Sequence, residues 1–189
     1  MRLAMRRCAA ALGTVLVLGA CERSPTESRT EGEVQFAFSG DTLGSFQARG
    51  TLTRTNEATG TYAVGAVQAA PQGRFLSVIG QAPARTAGRN DLLLLNVVPA
   101  EVGTVSCTDP EGDCDFGVIF ATGVHPSSED FETLFLSTTG TVTVSVITAR
   151  RAQGTFSLVL EEVTLPDDEP RLIQASGSFD VPLVTELAR

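Results

Sequence analysis

Apolar residues recur at every second position over most of the chain from Glu33 onward. In VQFAF, for example, Val34, Phe36 and Phe38 fall on one face. A period of two is typical of β-strands, in which successive side chains point to opposite faces. The same alternation, or an apolar run of strand length, occurs in nine further segments: SFQARGTL, TYAVGAVQ, RFLSVIGQ, DLLLLNVV, GTVSC, DFGVIFATG, TVTVSVITAR, TFSLVLEEV and RLIQASGSFDVPL. The pattern therefore predicts a β-rich domain.

The spacing of these segments predicts an architecture. About nine or ten strands follow one another at intervals of roughly 8 to 15 residues, and glycine-containing stretches such as TNEATG and RAQG lie between them. Such spacing is typical of antiparallel all-β folds. We predict an antiparallel β-sandwich, with a closed β-barrel as the alternative, because periodicity alone does not distinguish the two.

The first twenty residues have a different pattern. Arg2, Arg6 and Arg7 precede CAAALGTVLVL. This apolar run of about 11 residues is too short to cross a bilayer as a helix, but it has the length of a signal-peptide core. The run ends in LGAC, in which small residues stand directly before Cys21. This arrangement resembles the lipobox of bacterial lipoproteins. The resemblance implies a signal peptide over residues 1–20 and a lipid on Cys21.

The lipoprotein resemblance has consequences for localisation. It implies a diacylglyceryl thioether and an amide-linked acyl chain such as palmitate on Cys21, and two or more acyl chains hold a protein firmly on a membrane. Glu22 follows Cys21. Because the best-known sorting rule retains lipoproteins with aspartate at this position in the inner membrane, we predict the outer membrane of the cell envelope. The next residues are polar, so we predict a disordered tether over 21–32 and a single β-domain over 33–189.

The charge of the chain argues against two classes of partner. The formal net charge is −8, and loss of the three arginines of the leader changes it to −11. Because an acidic surface repels phosphate groups, we predict no nucleic-acid partner, and we predict contact with the membrane only through the N-terminal lipid. The chain also contains no lysine, which excludes Schiff-base and lysine general-base chemistry.

The C-terminal part of the chain resembles a family of uncharacterised bacterial lipoproteins. GTVTVSVITARRAQGTFSLVLEEV, followed by ASGSFDVPL, is similar to the G-T/S-V-T-V, G-T-F-S-F and G-x-F-D/N-V elements of that family. The earlier NDLLLLNVVPAEVGTVSC resembles its apolar strand and G-T-Y element, with Val105 in place of the aromatic residue. The resemblance implies an all-β domain on a lipid anchor, and it supplies neither an activity nor catalytic residues.

Two of the four cysteines remain available for pairing in an exported domain. Cys8 leaves with the signal peptide and Cys21 carries the lipid, whereas thiols outside the cytosol tend to pair. Cys107 and Cys114 stand at the ends of two predicted strands that TDPEGD joins. We therefore predict a disulfide between them across a hairpin.

Four acidic residues alternate around this predicted disulfide: Asp109, Glu111, Asp113 and Asp115. Alternating carboxylates occur at the start of calcium loops, since the ion needs several oxygen atoms that converge on one point. The EF-hand pattern also needs a glycine at its sixth position and a glutamate at its twelfth, and the sequence has neither there. We therefore predict a solvated acidic turn and no cofactor, with a calcium site at these four residues as the alternative.

No constellation of residues in the sequence predicts catalysis. His125 is the only histidine and precedes Pro126 in a polar loop. Glu161 and Glu162 are neighbours in a predicted strand, so their side chains should point to opposite faces. We therefore predict a non-enzymatic, lipid-anchored envelope domain that binds an unidentified protein or glycan or has a structural role. A carrier barrel for an apolar ligand is the alternative, and a hydrolase acting on polysaccharide through two carboxylates is a third hypothesis.

Overall fold

The computed structural model describes residues 31–53, 60–71, 73–109, 114–128, 130–165 and 168–184. These residues form ten strands: β1 (Gly32–Gly40), β2 (Gly44–Gly50), β3 (Tyr62–Ala70), β4 (Gly73–Pro83), β5 (Asn90–Val97), β6 (Gly103–Cys107), β7 (Phe116–Val124), β8 (Thr133–Ile147), β9 (Arg151–Glu162) and β10 (Leu172–Pro182). The prediction of an all-β domain is therefore confirmed.

The N-terminal predictions fall mostly outside this structure. The predicted signal peptide, Cys21 and the tether up to residue 30 lie outside the described residues, and Gly32, the last residue of the predicted tether, already belongs to β1. In the part of the chain that is described, no helix has the length and apolar character needed to cross a membrane.

All ten strands belong to one antiparallel sheet with the order β2-β1-β10-β9-β8-β7-β5-β4-β3. β6 lies off this path and pairs with β8. With 15 residues, β8 is long enough to take β7 alongside its first part and β6 alongside its second part. Consecutive strands β6 and β7 are therefore both neighbours of β8 in the described sheet.

The two ends of the strand path, β2 and β3, approach each other, so the sheet is nearly closed into a barrel. At the start of β1, a β-carbon on Gly32 would lie 1.9 Å from the carbonyl oxygen of Ala63 in β3, so glycine permits this close approach. Beyond β10, the backbone N–H of Val184 donates a hydrogen bond to the carbonyl of Gly65 in β3 at 2.9 Å. Of the two architectures that the sequence leaves open, this continuous sheet fits the barrel.

The alternating apolar residues fill the inside of the barrel. In β1, for example, Val34 and Phe36 are buried and Phe38 is partly buried. The centre is aromatic: the ring of Phe120 in β7 lies 5.0 Å from that of Phe36 and 5.6 Å from that of Phe46. Both contacts are edge-to-face, an arrangement that aromatic quadrupoles favour. Side chains therefore occupy the middle of the barrel.

Candidate functional site

Cys107 and Cys114 lie next to each other on the barrel wall. Cys107 ends β6 and Cys114 precedes β7, and the structure places their sulfur atoms at disulfide distance with the Cα atoms 5.2 Å apart. A Cα separation of this size is typical of disulfides. The expected hairpin is wrong, because β6 and β7 both pair with β8. The disulfide thus links β6 to β7, which pair with different parts of the same strand, β8.

The acidic residues around the disulfide are only partly described. Asp109 and Asp115 are exposed, whereas Glu111 and Asp113 lie outside the described residues. Within the described ranges, no group of three histidine, cysteine or carboxylate side chains is arranged to hold a metal ion. The calcium site therefore remains an alternative that only the sequence raises.

The residues that the sequence raised for catalysis do not come together. His125 lies in an exposed turn, where its Nδ1 accepts a hydrogen bond from a backbone N–H two residues later at 3.2 Å. Glu161 is opposite the exposed Leu136 in the sheet, and Glu162 is opposite the buried Phe135. The two glutamates therefore point to opposite faces of the sheet, which excludes a carboxylate pair formed by these two side chains.

A pocket opens at one end of the barrel, which we call the mouth. Described residues of the connections that follow β1, β4, β7 and β9 meet there. The volume of this mouth pocket is about 200 Å³. Its lining includes three phenylalanines, four hydroxyl side chains and four charged side chains: Phe38, Phe120, Phe135; Thr42, Ser45, Thr122, Thr133; Arg85, Asp91, Glu132 and Arg171.

The floor of the mouth pocket is aromatic because each of three strands, β1, β7 and β8, contributes one phenylalanine to it. The ring of Phe120 lies 5.8 Å from that of Phe38 and 6.2 Å from that of Phe135, measured between centroids. Phe120 and Phe135 are buried, but Phe38 is only partly buried. Part of this aromatic surface is therefore open to the pocket.

Arg171, which lines the mouth pocket, belongs to an ion pair with Glu162. Arg171, in the connection from β9 to β10, donates from Nε to Oε2 and from Nη2 to Oε1 of Glu162, both at 2.6 Å. Its guanidinium carbon also lies 5.8 Å from the ring centroid of Phe135. Hydrogen bonding from Arg171 lowers the pKa of Glu162, and the same contact raises the pKa of Arg171. The charge of Arg171 is therefore already matched by a carboxylate.

One wall of the mouth pocket carries two carboxylates, those of Asp91 and Glu132. Oδ1 of Asp91 accepts a hydrogen bond from the backbone N–H of Gly123 at 3.0 Å. Glu132 lies beside the same glycine, since a β-carbon on Gly123 would be 2.4 Å from the Glu132 carboxyl carbon. Gly123 also has a φ of +61°, which side chains with a β-carbon rarely adopt. Glycine at this position thus leaves room for the Glu132 carboxylate beside a residue whose N–H is bound by Asp91.

The surroundings of Asp91 disfavour its charged form. Partial burial raises the pKa of Asp91, and repulsion from Glu132 raises it further. The hydrogen bond from Gly123 and the attraction of Arg85 act in the opposite direction, but the net shift is upward. The mouth pocket therefore holds a carboxylate whose charge the described protein groups do not fully compensate.

Arg89 binds the backbone of Gly123 through the carbonyl group of that residue. Its Nη1 donates to the carbonyl oxygen of Gly123 at 2.6 Å, and its Nη2 donates to Oδ2 of Asp130 at 2.8 Å. The connection from β4 to β5 is in this way joined to the connection from β7 to β8. These contacts hold the backbone around Gly123 in the position in which its N–H donates a hydrogen bond to Asp91.

Sequence reasoning missed the mouth pocket, although it predicted most of the strand segments that form it, the first part of β8 excepted. The prediction places Asp91 at the start of the apolar run DLLLLNVV, where it is in phase with the buried Leu93 and Leu95. A charged residue at an inward-facing position of a strand indicates a polar site, because a buried charge needs either a partner or access to solvent at an open end of the barrel. The other lining residues come from distant parts of the chain, so their meeting could not be predicted.

No family model, curated protein or solved structure matches the chain. The resemblance to a lipoprotein family therefore stays a prediction from the sequence. The functional conclusion below rests on the geometry and charges of the mouth pocket.

Proposed function

We propose that the protein is a lipid-anchored, non-enzymatic binding domain of the bacterial cell envelope that takes its ligand in the mouth pocket. The observation that carries the proposal is a pocket of about 200 Å³ in which charged side chains stand around an aromatic floor. Ligand sites commonly combine apolar and aromatic surface with a few polar groups that orient the ligand. The remaining described interior is mostly packed with apolar side chains.

The size of the pocket favours a small ligand, or the end group of a glycan or protein. Drug-sized ligands occupy pockets of about 300–1,000 Å³, and the mouth pocket has about 200 Å³. Beneath the floor, Phe36, Phe46 and Phe156 belong to the buried core, so side chains occupy the space along the barrel axis. This packing favours a binding domain over a carrier that encloses a whole apolar ligand.

The direction of β1 shows at which end of the barrel a lipid-anchored chain would enter the domain. β1 begins at Gly32, at the end of the barrel opposite the mouth, and its nine residues end at Gly40, close to the pocket-lining Thr42. A strand of this length spans about 30 Å. With the lipid of Cys21 in the outer membrane, the chain enters the domain at the far end. The point of attachment and the mouth then lie at opposite ends of the domain, which favours a mouth that stays accessible to ligands.

Replacement of Cys21 by serine is expected to abolish palmitate incorporation, because the thioether requires the thiol, and to leave the protein unprocessed or released from the membrane. Metabolic labelling with a palmitate analogue, together with membrane fractionation, measures both effects. Cys8→Ser is the matched control, since Cys8 belongs to the predicted leader, and it should keep the label. Label retained by Cys21→Ser would contradict the lipid anchor.

Replacement of Ala84 by tryptophan is expected to remove ligand binding, because Ala84 lines the mouth pocket and an indole ring would occupy much of its volume. Full-length protein is isolated from envelope membranes, and the compounds released on denaturation are identified by mass spectrometry. We expect a compound that is enriched on the unsubstituted protein and at least about tenfold depleted on Ala84→Trp, equivalent to a loss of about 1.4 kcal/mol.

Ala149→Trp is the control for this substitution, because Ala149 is exposed in the turn between β8 and β9 at the far end of the barrel. It should retain the compound, and thermal melts should show that both variants are folded. A compound that both variants retain equally would place the ligand elsewhere. Recovery of no enriched compound from any of the three proteins would count against a ligand-binding role.

A further inference from the structure

The chemistry of the mouth pocket also identifies a class of ligand, and this inference rests on the proposed binding function. We propose that the mouth pocket binds an organic cation: an ammonium or guanidinium group on an apolar or aromatic body. Two features carry the proposal. One wall presents two carboxylates that form no ion pair within 4.0 Å with another described residue, and the floor beneath them is aromatic.

The carboxylates of Asp91 and Glu132 converge on one point of the wall. Both lie beside Gly123, whose N–H occupies only one oxygen of Asp91. Among the described residues, ion pairs within 4.0 Å form between Arg49 and Glu31, Arg89 and Asp130, Arg151 and Asp180, and Arg171 and Glu162, and none includes Asp91 or Glu132. A ligand ammonium between the two carboxylates could therefore form charge-assisted hydrogen bonds with both.

The arginines that line the pocket leave this negative charge in place. Both hydrogen-bonded nitrogens of Arg171 are engaged by Glu162, so Arg171 balances that carboxylate. Arg85 attracts Asp91, but its effect on the pKa of Asp91 is smaller than the opposing effect of Glu132. A cation bound near Asp91 would offset both the desolvation and the repulsion that disfavour its charged form.

The aromatic floor suits a cation with an apolar body. Arg171 already places its guanidinium carbon 5.8 Å from the ring centroid of Phe135, within the range in which a cation is attracted to an aromatic face. Phe38 and Phe120 continue the same floor toward the rest of the pocket. An aromatic or branched apolar group can pack on these two rings while its charged group reaches the carboxylate wall.

Other ligand charges match the pocket less well. An anion would approach Asp91 and Glu132, and Nε and Nη2 of Arg171 already donate hydrogen bonds to Glu162. A hard divalent cation requires about six oxygen ligands, whereas the described residues provide no group of three potential metal ligands. A hard metal ion would also gain little from the aromatic floor. An organic cation uses both the wall and the floor.

Three probes of similar shape and different charge test the proposal: benzylamine as the cation, benzyl alcohol as the neutral analogue and phenylacetate as the anion. Their affinities for the full-length protein in phosphatidylcholine nanodiscs are measured by calorimetry, with empty nanodiscs as the blank. We expect benzylamine to bind about tenfold more tightly than benzyl alcohol, the factor expected for a hydrogen bond between charged groups, and phenylacetate to bind most weakly.

Variants that replace each carboxylate of the pocket wall by a neutral amide then test whether these carboxylates cause the preference for benzylamine. Asp91→Asn keeps an oxygen that accepts the Gly123 N–H, and Glu132→Gln keeps the side-chain shape. Each should lower the affinity for benzylamine about tenfold and leave that for benzyl alcohol unchanged, because each removes one charge-assisted contact. Glu101→Gln is the control, since Glu101 is exposed in the connection from β5 to β6, away from the mouth, and it should have no effect.

The outcomes separate this inference from the proposed function. Equal affinities of the unsubstituted protein for benzylamine and benzyl alcohol would overturn the organic-cation proposal, and so would no measurable benzylamine binding. Benzylamine binding that Ala84→Trp leaves unchanged would also overturn it, because the probe would then bind outside the mouth pocket. In each case a neutral or anionic envelope compound lost from Ala84→Trp would still support a binding role.

Discussion

Replacement of Phe120 by alanine is expected to lower the free energy of unfolding by about 3–5 kcal/mol, the range for removing a large aromatic side chain from a packed core. Phe120 is 2% exposed, and its ring contacts those of four other phenylalanines: Phe36, Phe38, Phe46 and Phe135. The substitution leaves a cavity that strands from different parts of the chain surround and that none of them can close alone. Urea denaturation at equilibrium measures the loss.

Phe131→Ala is the matched control for this substitution. Phe131 precedes β8 and is 45% exposed, so its removal should change the free energy of unfolding by less than about 1 kcal/mol. A loss below about 1.5 kcal/mol for Phe120→Ala would contradict the tightly packed aromatic centre. It would instead indicate that the barrel can collapse around the missing ring.

Replacement of Cys107 and Cys114 together by alanine is expected to lower the free energy of unfolding by about 2.5 kcal/mol, because the crosslink restricts the unfolded chain between two residues seven positions apart. The crosslink also joins the ends of β6 and β7, which have β8 as their common neighbour. Chemical denaturation of the oxidised protein and of the double variant measures the difference.

Reduction provides the control for the cysteine substitutions. The unsubstituted protein in dithiothreitol should lose about as much stability as the double variant, and the double variant should not respond to the reductant. Because the disulfide lies outside the mouth pocket, ligand binding by the folded double variant should be unchanged. Free thiols at both Cys107 and Cys114 in alkylation experiments on the protein isolated without reductant would contradict the crosslink.

The alternation of apolar residues predicted strands where it runs through a whole segment, and missed strand residues where it is interrupted. TVTVSVITAR predicted the second part of β8, whereas the first part, from Thr133 to Gly140, was not predicted. A register shift between Ser137 and Thr139 changes which positions face inward, so the alternation is interrupted there. A bulge of this kind depends on the partner strand, which a local pattern does not contain.

The sequence by itself determined the all-β class, the inward faces of the regular strands and the pairing of Cys107 with Cys114. These properties follow from the period-two geometry of an extended chain and, for the disulfide, from the two cysteines that remain if Cys8 and Cys21 have the predicted roles in the leader and the lipid anchor. Only the tertiary structure decided the strand order, the near closure of the barrel and the meeting of Asp91, Glu132 and Arg171 at the mouth.

The physical reason is that the mouth depends on contacts between residues far apart in the chain. Oδ2 of Asp41 accepts a hydrogen bond from the backbone N–H of Leu172 at 2.8 Å across 131 positions, and this contact joins the connection after β1 to the start of β10. Each strand shows in its own sequence which side it buries. Which strands become neighbours is decided by the combined packing of the closed sheet, and the charges of the mouth pocket acquire their surroundings only after that choice.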